Sequence, residues 1–186
     1  SAGRNRNIRV VLSCRERRLD AVVKVFHRQN TLRDRLDAGR GSKAKRTWLA
    51  ASYLESKGIG TPVPIGFMER RQAGRLIESY YLAEYQAEAV SFKDELIRLF
   101  RHDPQCGKFM TLMQCVAESI RKMHDAGFLH NDLGNQNILL RRKDDTAWDK
   151  VQFLDLNRGR IKEELTFRER ARDISRIYLP SDLLRV

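Results

Sequence analysis

The segment from Gly127 to Leu140 constrains this chain of 186 residues more than any other segment. It holds an acid, Asp132, and an amide, Asn137, five positions apart, and an apolar run follows the amide at once. A second acid, Asp155, comes 23 residues after Asp132 and directly follows another apolar run. The pattern places three polar side chains beside short segments that read as buried strands.

Phosphoryl transfer from a nucleotide requires side chains of these types. A carboxylate accepts or orients the acceptor hydroxyl, and an amide and a second carboxylate hold magnesium on the phosphates. His130 stands two residues before Asp132, so the chain reads His-x-Asp-x-x-x-x-Asn, then a strand, then Asp155. This order is typical of a kinase catalytic loop and metal loop. We therefore predict Asp132 as the catalytic residue, with Asn137 and Asp155 as magnesium ligands. An ordinary turn would also favour Asp and Asn, but it would not account for the histidine or the second acid.

A cation stands inside an apolar strand near the start of the chain. Residues 8–14 and 19–26 are strand-like and predict a hairpin, and Lys24 lies in the second strand. A buried lysine is costly unless a phosphate or carboxylate meets it. In a kinase, a lysine at this place binds the α- and β-phosphates of ATP. The alternative is an edge strand whose lysine points to water.

The remaining periodicities predict an alternation of strands and helices. We expect a helix over residues 42–57, strands over 65–69 and 76–84, a helix over 108–126, a strand over 151–154 and a terminal helix over 167–179. The 108–126 helix has one apolar face, formed by Phe109, Leu112, Val116, Ile120 and Met123. The 42–57 helix begins at Ser42 and has an apolar stripe of Ala44, Ala51 and Leu54 with either Thr47 or Trp48.

Charge is distributed unevenly along the chain. Residues 1–76 hold 18 Lys and Arg against 6 Asp and Glu, whereas residues 77–186 hold 18 of each, so the whole net charge of +12 lies in the first part. Such a field favours anionic partners, including phosphates and anionic membrane surfaces, although a solvated basic face is an equal alternative.

The three cysteines, Cys14, Cys106 and Cys115, show no paired spacing and are expected to be reduced thiols of a cytoplasmic protein. No nucleic-acid motif accompanies the basic residues, so we expect no nucleic-acid partner.

Several phrases resemble the Kdo/WaaP family of lipopolysaccharide kinases, which has a protein-kinase-like fold. They are the first helix and its exit (42–48 and 58–64), the catalytic segment (123–133), the metal loop (153–158) and the final helix (170–177). The resemblance extends over residues 8–184. It implies an α+β, two-lobed fold, with an antiparallel-sheet N-lobe over residues 1–86 and a small, mainly helical C-lobe over residues 87–186, together forming one kinase-like domain.

The resemblance also implies a function. The chain would be an ATP- and Mg²⁺-dependent kinase that phosphorylates a hydroxyl of Kdo or heptose in the lipopolysaccharide inner core. The acceptor would be the lipopolysaccharide core or lipid A–Kdo. The protein would be cytoplasmic and peripheral on the inner face of the inner membrane, held by its anionic surface. The backbone of Glu84, Tyr85 and Gln86 would bind adenine, and His130 would be structural, bracing the catalytic loop against Asp155.

The sequence departs from the kinase pattern in three places. Kinases pair the strand lysine with a glutamate on the first helix, but the only acid here is Glu55, near the end of that helix. By elimination, we predict that Lys24 pairs with Asp155. A glycine-rich phosphate loop is missing, since only Gly3 precedes the first strand, so we expect that the natural chain starts earlier or that its start is disordered or removed. Only 17 residues separate Asp155 from Arg172, which leaves little room for a phosphorylation-gated activation segment.

Two other functions remain open on the sequence alone. An atypical protein kinase of the RIO type also has the His-x-Asp-x-x-x-x-Asn pattern and no activation segment. A pseudokinase would bind nucleotide or act as a scaffold without turnover, and the missing helix glutamate favours it. The intact set of Asp132, Asn137 and Asp155 argues for catalysis.

Overall fold

A computed structural model of the chain describes residues 6–14, 17–27, 41–102, 107–144 and 147–179. Gly3 and Cys106 lie outside the described residues, as does the side chain of Cys14. The chain divides into two compact units, one formed by residues 1–53 and 62–86 and the other by residues 54–61 and 87–186. Our prediction of a boundary between the N-lobe and the C-lobe at residue 86 stays a prediction.

The first unit is built on a four-stranded antiparallel sheet. Its strands are β1 (Arg6–Cys14), β2 (Arg17–His27), β3 (Pro64–Gln72) and β4 (Arg75–Glu84), in the order β1-β2-β4-β3. The predicted hairpin is β1–β2, whose register pairs Ile8 with Val23 and Val10 with Ala21. β2 is hydrogen-bonded on both sides, so it is not an edge strand.

The helix α1 (Lys43–Ser56) belongs mainly to the first unit. Ser42 caps it, as predicted, because the Ser42 hydroxyl accepts a hydrogen bond from the Lys45 N–H at 3.0 Å. Of the two stripes that the sequence allowed, the one with Thr47 is correct, since Thr47 is 3 % exposed and Trp48 is only half-buried. The Trp48 ring instead contacts Phe67 of β3, with ring centroids 5.4 Å apart.

In the part of the second unit that the structure describes, there are three α-helices and two small antiparallel sheets. The helices are α2 (Phe92–His102), α3 (Gly107–Asp125) and α4 (Phe167–Ile174). One sheet has the order β5 (Ala89–Ser91), β7 (Ile138–Arg142), β8 (Trp148–Phe153); the other pairs β6 (Phe128–Leu129) with β9 (Arg160–Ile161). The predicted apolar face of α3 is confirmed: Phe109, Leu112, Val116, Ile120 and Met123 are all buried.

Gly127 lies in the turn between α3 and β6, just before the catalytic loop. Its φ is 75°, in the left-handed region, and a Cβ at this position would lie 2.0 Å from the Lys162 carbonyl oxygen. The Lys162 N–H donates to the Gly127 carbonyl at 2.9 Å. A side chain here would therefore push apart the segments that form the β6–β9 pair.

Glu95 joins α2 to the three-stranded sheet. Its carboxylate is fully buried and accepts hydrogen bonds from Arg98, from Arg142 of β7 and from the Trp148 indole of β8. Burial alone would raise the pKa of Glu95, but the two guanidinium groups outweigh burial and lower it to about 2. The carboxylate therefore stays ionised and links three elements of the second unit.

The prediction for the terminal helix was too long. We predicted a helix over residues 167–179, but α4 ends at Ile174. Thr166 and Glu169 form a capping box at its start, and Ser175 ends it. Beyond that point the backbone of Tyr178 exchanges two hydrogen bonds with the Asn135 side chain, at 2.6 and 3.1 Å. These contacts replace the bonds that a longer helix would have formed.

The α+β fold with antiparallel sheets is confirmed by these elements. Within the described ranges, no helix combines the length and apolar character needed to cross a membrane.

Candidate active site

The catalytic segment lies in the second unit, on the loop between β6 and β7. It includes His130, Asn131 and Asp132, and a 3₁₀ turn over Asn135–Asn137 leads into β7. The Asp132 carbonyl accepts hydrogen bonds from the Gly134 N–H and the Asn137 side-chain amide, both at 2.8 Å. These bonds close the loop on itself and bring Asp132 and Asn137 together.

A buried carboxylate on α4 fixes the main chain of this loop. Asp173 accepts hydrogen bonds from the backbone N–H groups of His130 (2.9 Å) and Asn131 (2.8 Å), and it contacts His124 Nε2 at 3.1 Å. Burial would raise the pKa of Asp173, but the hydrogen bonds from His124 and the two N–H groups outweigh it and lower the pKa. Asn131 has a φ of 62°, a left-handed conformation that this anchorage holds and that asparagine tolerates.

His130 connects the catalytic loop to the end of β8. Its Nδ1 accepts a hydrogen bond from the Asp132 N–H at 3.2 Å, so its Nε2 donates to the Leu154 carbonyl at 2.8 Å. The ring is fully buried, and burial lowers the pKa of His130, which favours this neutral form. The histidine thus contacts the residue before Asp155 through a carbonyl, rather than the Asp155 side chain itself.

Asn137 and Asp155 lie at the same end of the β7–β8 ladder. The Leu154 N–H donates to the Asn137 carbonyl at 2.8 Å, continuing the register that pairs Ile138 with Phe153. The side-chain nitrogen of Asn137 donates to the Asp132 carbonyl, so the side-chain oxygen of Asn137 takes no part in that hydrogen bond. Asp155 adopts a left-handed conformation with φ 59°, and Asn157 donates to one of its carboxylate oxygens at 2.5 Å.

An amide oxygen and a carboxylate are the donors that a small, hard cation prefers. Mg²⁺ is usually held by one or two carboxylates together with substrate phosphates, and it keeps several waters. The donor chemistry of Asn137 and Asp155 therefore fits Mg²⁺.

Two arginines contact the carboxylate of Asp132, and the sequence did not single out either. Arg158 Nη1 lies 3.2 Å from Asp132 Oδ2, and Arg176 Nη1 lies 3.6 Å from Oδ1. Asp173 was also missed. An acid in a helix of mostly charged residues gives no sign of burial, and only the fold shows that this one faces inward.

Lys24 lies in the interior of the first unit's sheet. It is paired with Asn7 of β1 and Tyr81 of β4, its side chain is half-buried, and its Nζ lies 5.4 Å from the centroid of the Phe26 ring. The edge-strand alternative for this lysine is therefore wrong. The predicted pairing of Lys24 with Asp155 stays a prediction.

The segment of Glu84, Tyr85 and Gln86 follows β4. The Glu84 N–H donates to the Val63 carbonyl and the Tyr85 N–H to the Asp20 carbonyl, both at 3.0 Å. Two of the three backbone N–H groups in the segment that we expect to bind adenine are therefore used within the first unit. On α1, Glu55 is exposed, in keeping with the absence of a buried glutamate from that helix.

The fold and this loop define a protein of the kinase-like class. The family model for the lipopolysaccharide kinase (Kdo/WaaP) family matches residues 6–182, and the chain belongs to that family. The resemblance noted in the sequence is thereby confirmed.

Curated relatives and a solved structure agree with this assignment. Lipopolysaccharide core heptose(I) kinase WaaP of Escherichia coli strain K12 is 29 % identical over 143 residues, which are 74 % of this chain and 53 % of that protein. A second Escherichia coli WaaP is 25 % identical over 142 residues, with the same coverage. The chain thus spans about half the length of these relatives.

The structure of WaaP in complex with acyl carrier protein has the same fold, with a TM-score of 0.66 at 21 % identity. The match covers 95 % of this chain and 70 % of that one. The predicted kinase-like fold class is confirmed.

Proposed function

We propose that this chain transfers the γ-phosphoryl group of ATP to a sugar hydroxyl of the lipopolysaccharide inner core. The observation that carries the proposal is the arrangement of the catalytic loop. Asp173 and His130 hold its main chain, so that Asp132 and Asn137 are fixed relative to each other. His130 also fixes them relative to the end of β8, which Asp155 follows. Family membership supports the choice of acceptor.

Heptose is the acceptor that we propose first, with Kdo as the alternative. Both curated relatives are named heptose(I) kinases, and the family description names Kdo beside WaaP. ATP as the donor follows from the kinase-like loop and remains part of the proposal.

Asp132 acts on the acceptor. Its carboxylate accepts a hydrogen bond from the sugar hydroxyl and aligns the oxygen with the γ-phosphorus. As the new O–P bond forms and the bond to the β-phosphate oxygen breaks, the hydroxyl proton passes to Asp132 and ADP leaves. The neutral His130 keeps the Asp132 main chain in place through its Nδ1.

Asn137 and Asp155 would hold Mg²⁺, which neutralises charge on the phosphates when it is bound. From the first unit, we propose Lys24 as a ligand of the ATP phosphates. In the segment 84–86, the N–H groups of Glu84 and Tyr85 already donate hydrogen bonds within the first unit. We therefore propose that adenine forms hydrogen bonds with the Gln86 N–H and with carbonyl oxygens of this segment.

Metal dependence tests the assignment of Asn137 and Asp155. ATP binding by the wild-type chain should strengthen on addition of Mg²⁺, and Asp155→Asn or Asn137→Ala should weaken that response, because the first removes the negative charge and one carboxylate oxygen and the second removes the amide oxygen. Calorimetric titration of ATP with and without Mg²⁺ measures the effect, and Asp149→Asn, an exposed acid on β8, is the control. An unchanged metal response in Asp155→Asn would make Asp155 a structural turn residue.

A pseudokinase is the second candidate, and it is favoured by one observation: the only acid of α1, Glu55, is exposed. Turnover separates the two. Core oligosaccharide from cells with and without the gene should differ by one phosphate in mass spectrometry, and fragmentation should place that phosphate on heptose or Kdo. Identical spectra, together with ATP binding by the purified chain, would favour the pseudokinase. A phosphorylated protein substrate in place of sugar would favour the RIO-like alternative.

A further inference from the structure

Two guanidinium groups converge on the carboxylate of Asp132. Arg158 approaches one oxygen at 3.2 Å and Arg176 approaches the other at 3.6 Å. They come from different elements, Arg158 from the 3₁₀ turn that follows Asp155 and Arg176 from the segment after α4. The two side chains remain 56 % and 43 % exposed.

The catalytic loop itself positions the main chain of both arginines. The Asn131 amide donates to the Arg158 carbonyl at 3.1 Å. Two residues after Arg176, the backbone of Tyr178 exchanges two hydrogen bonds with Asn135 of the same loop. The backbones are thus fixed to the segment that carries Asp132, while the charged ends of the side chains reach solvent.

The ion pairs of Arg158 and Arg176 with Asp132 contribute little to the stability of the fold, so stability does not explain why the two arginines are held beside Asp132. Charge-assisted hydrogen bonds between guanidinium and carboxylate are usually about 2.7–2.9 Å long, and these two distances are longer. Exposed ion pairs of this kind contribute little, because water and salt screen them. Two guanidinium groups also face the single carboxylate of Asp132. The planar donor fork of arginine matches carboxylate and phosphate groups.

We propose that Arg158 and Arg176 form a binding site for an anionic group, a carboxylate or a phosphate, on the acceptor sugar. The inference rests on the proposed function, because the acceptor hydroxyl must reach Asp132. An acidic group near that hydroxyl arrives beside both arginines and replaces Asp132 as their partner. The Asp132 carboxylate is then released to accept the hydrogen bond of the hydroxyl. An acceptor without an acidic group leaves Asp132 paired and is a poor substrate.

Binding of the acceptor without ATP tests the inference independently of turnover. We would titrate lipopolysaccharide inner-core oligosaccharide into the wild-type chain by calorimetry in three forms: intact, carboxyl-reduced and dephosphorylated. The variants are Arg158→Gln, Arg176→Gln and the double variant. Arg168→Gln is the control, because Arg168 is an exposed arginine of α4 and its loss changes the net charge equally.

Each single variant should weaken binding of the intact oligosaccharide about tenfold, since one charge-assisted interaction is lost. The double variant should weaken it further, and the control should bind like the wild type. Binding to the wild type should weaken as much as in the double variant when the acidic group that contacts the two arginines is removed from the sugar. If carboxyl reduction causes that loss, the anion is a carboxylate; if dephosphorylation causes it, the anion is a phosphate. The double variant should bind the modified and intact forms equally.

Steady-state kinetics then separate the acceptor from the nucleotide. In both single variants the KM for the oligosaccharide should rise and the KM for ATP should stay within about twofold. A rise confined to the KM for ATP would overturn the inference, because the arginines would then bind the γ-phosphate. Equal wild-type affinity for the intact, carboxyl-reduced and dephosphorylated oligosaccharides would overturn it as well. If the wild type binds the anionic sugar but does not phosphorylate it, the proposed function fails while the anion site stands.

Discussion

Asp173 is the residue on which the geometry of the catalytic loop depends most. Its buried carboxylate accepts from two successive backbone N–H groups, those of His130 and Asn131, and contacts His124. Neither N–H group lies in a regular ladder that could supply another acceptor. A buried N–H group without an acceptor is costly, so this loop conformation depends on the Asp173 carboxylate.

We predict that Asp173→Asn destabilises the protein by about 2–3 kcal/mol, because an amide keeps one acceptor oxygen but turns a donor toward the N–H groups. The kcat should fall with it, since Asp132 is the next residue along the loop. Chemical unfolding and steady-state turnover measure the two effects. Asp149→Asn is the matched control, because Asp149 forms an exposed pair with Arg141 that water and salt screen, so its loss should have little effect on stability. Equal effects in the two variants would contradict the anchoring role.

At this scale, the sequence predicted residue types better than contacts. Asp132, Asn137 and Asp155 could be singled out because their spacing on a loop–strand–loop pattern is informative by itself. Arg158, Arg176 and Asp173 could not, because they contact Asp132 and its neighbours only after the turn that follows Asp155 and the end of α4 have packed beside the loop. Charged residues in a polar stretch look alike until the fold shows which of them face inward.

Among the elements of the second unit, α2, β7 and β8 are joined by the buried carboxylate of Glu95. A buried acid with two arginines and an indole as partners holds these elements in one arrangement, and removal of one partner from such a cluster leaves the others uncompensated. These contacts lie at the end of the β7–β8 ladder where Arg142 pairs with Trp148, opposite the end next to Asn137 and Asp155.

Glu95→Gln should lower the free energy of unfolding by about 2–3 kcal/mol at neutral pH, because the amide keeps the shape but loses the charge that the arginines need. The pKa of Glu95 is lowered to about 2, below the unfolded value of about 4.3. The wild type therefore gains this stability above pH ~4.3 and loses it as the pH falls toward 2. Denaturant titrations across this range should show the difference between variant and wild type shrinking in acid.

Glu118→Gln supplies the control for that series. Glu118 is an exposed acid on α3, so its substitution should change stability by less than about 0.5 kcal/mol at every pH. A Glu95→Gln variant as stable as this control would show that the buried cluster is replaceable.

The longest elements were predicted well, but the helix α2 (Phe92–His102) was not among the predicted elements and the shortest strands were missed. The apolar face of α3 and the strands β1 to β4 follow from periodicity over many residues. The strands β5, β6 and β9 have three or two residues each, too few for any period to show. The end of α4 was missed for a different reason: its sequence favours helix, but Asn135 captures the backbone of Tyr178.

Across the whole molecule, the basic surplus of residues 1–76 supports a proposal about location. A lipopolysaccharide acceptor is embedded in a membrane, so we propose that this part of the chain binds the anionic inner face of the inner membrane. Each Lys or Arg near such a surface contributes about 1 kcal/mol, so four or five would hold the protein there reversibly.

Co-sedimentation with vesicles measures this effect. Binding to anionic vesicles should exceed binding to neutral ones and should weaken as salt rises, because screening shortens the reach of each charge. Replacing Arg70, Arg71 and Arg75 by Gln lowers the charge of the basic part, whereas the same change at Arg160, Arg168 and Arg172 is the control outside it. Salt-independent or lipid-independent binding would mean that the surplus serves only solvation.

The central claim is that Asp132 carries phosphoryl transfer on a sugar acceptor, and one variant tests it most directly. Asp132→Asn keeps the shape of the side chain but removes the proton acceptor. Turnover of lipopolysaccharide core by this variant should fall by ~10²–10⁴-fold, while its ATP affinity stays within about twofold of wild type. Turnover and ATP affinity would be measured on the same preparation, beside Asp149→Asn. Unchanged turnover in Asp132→Asn would contradict the account.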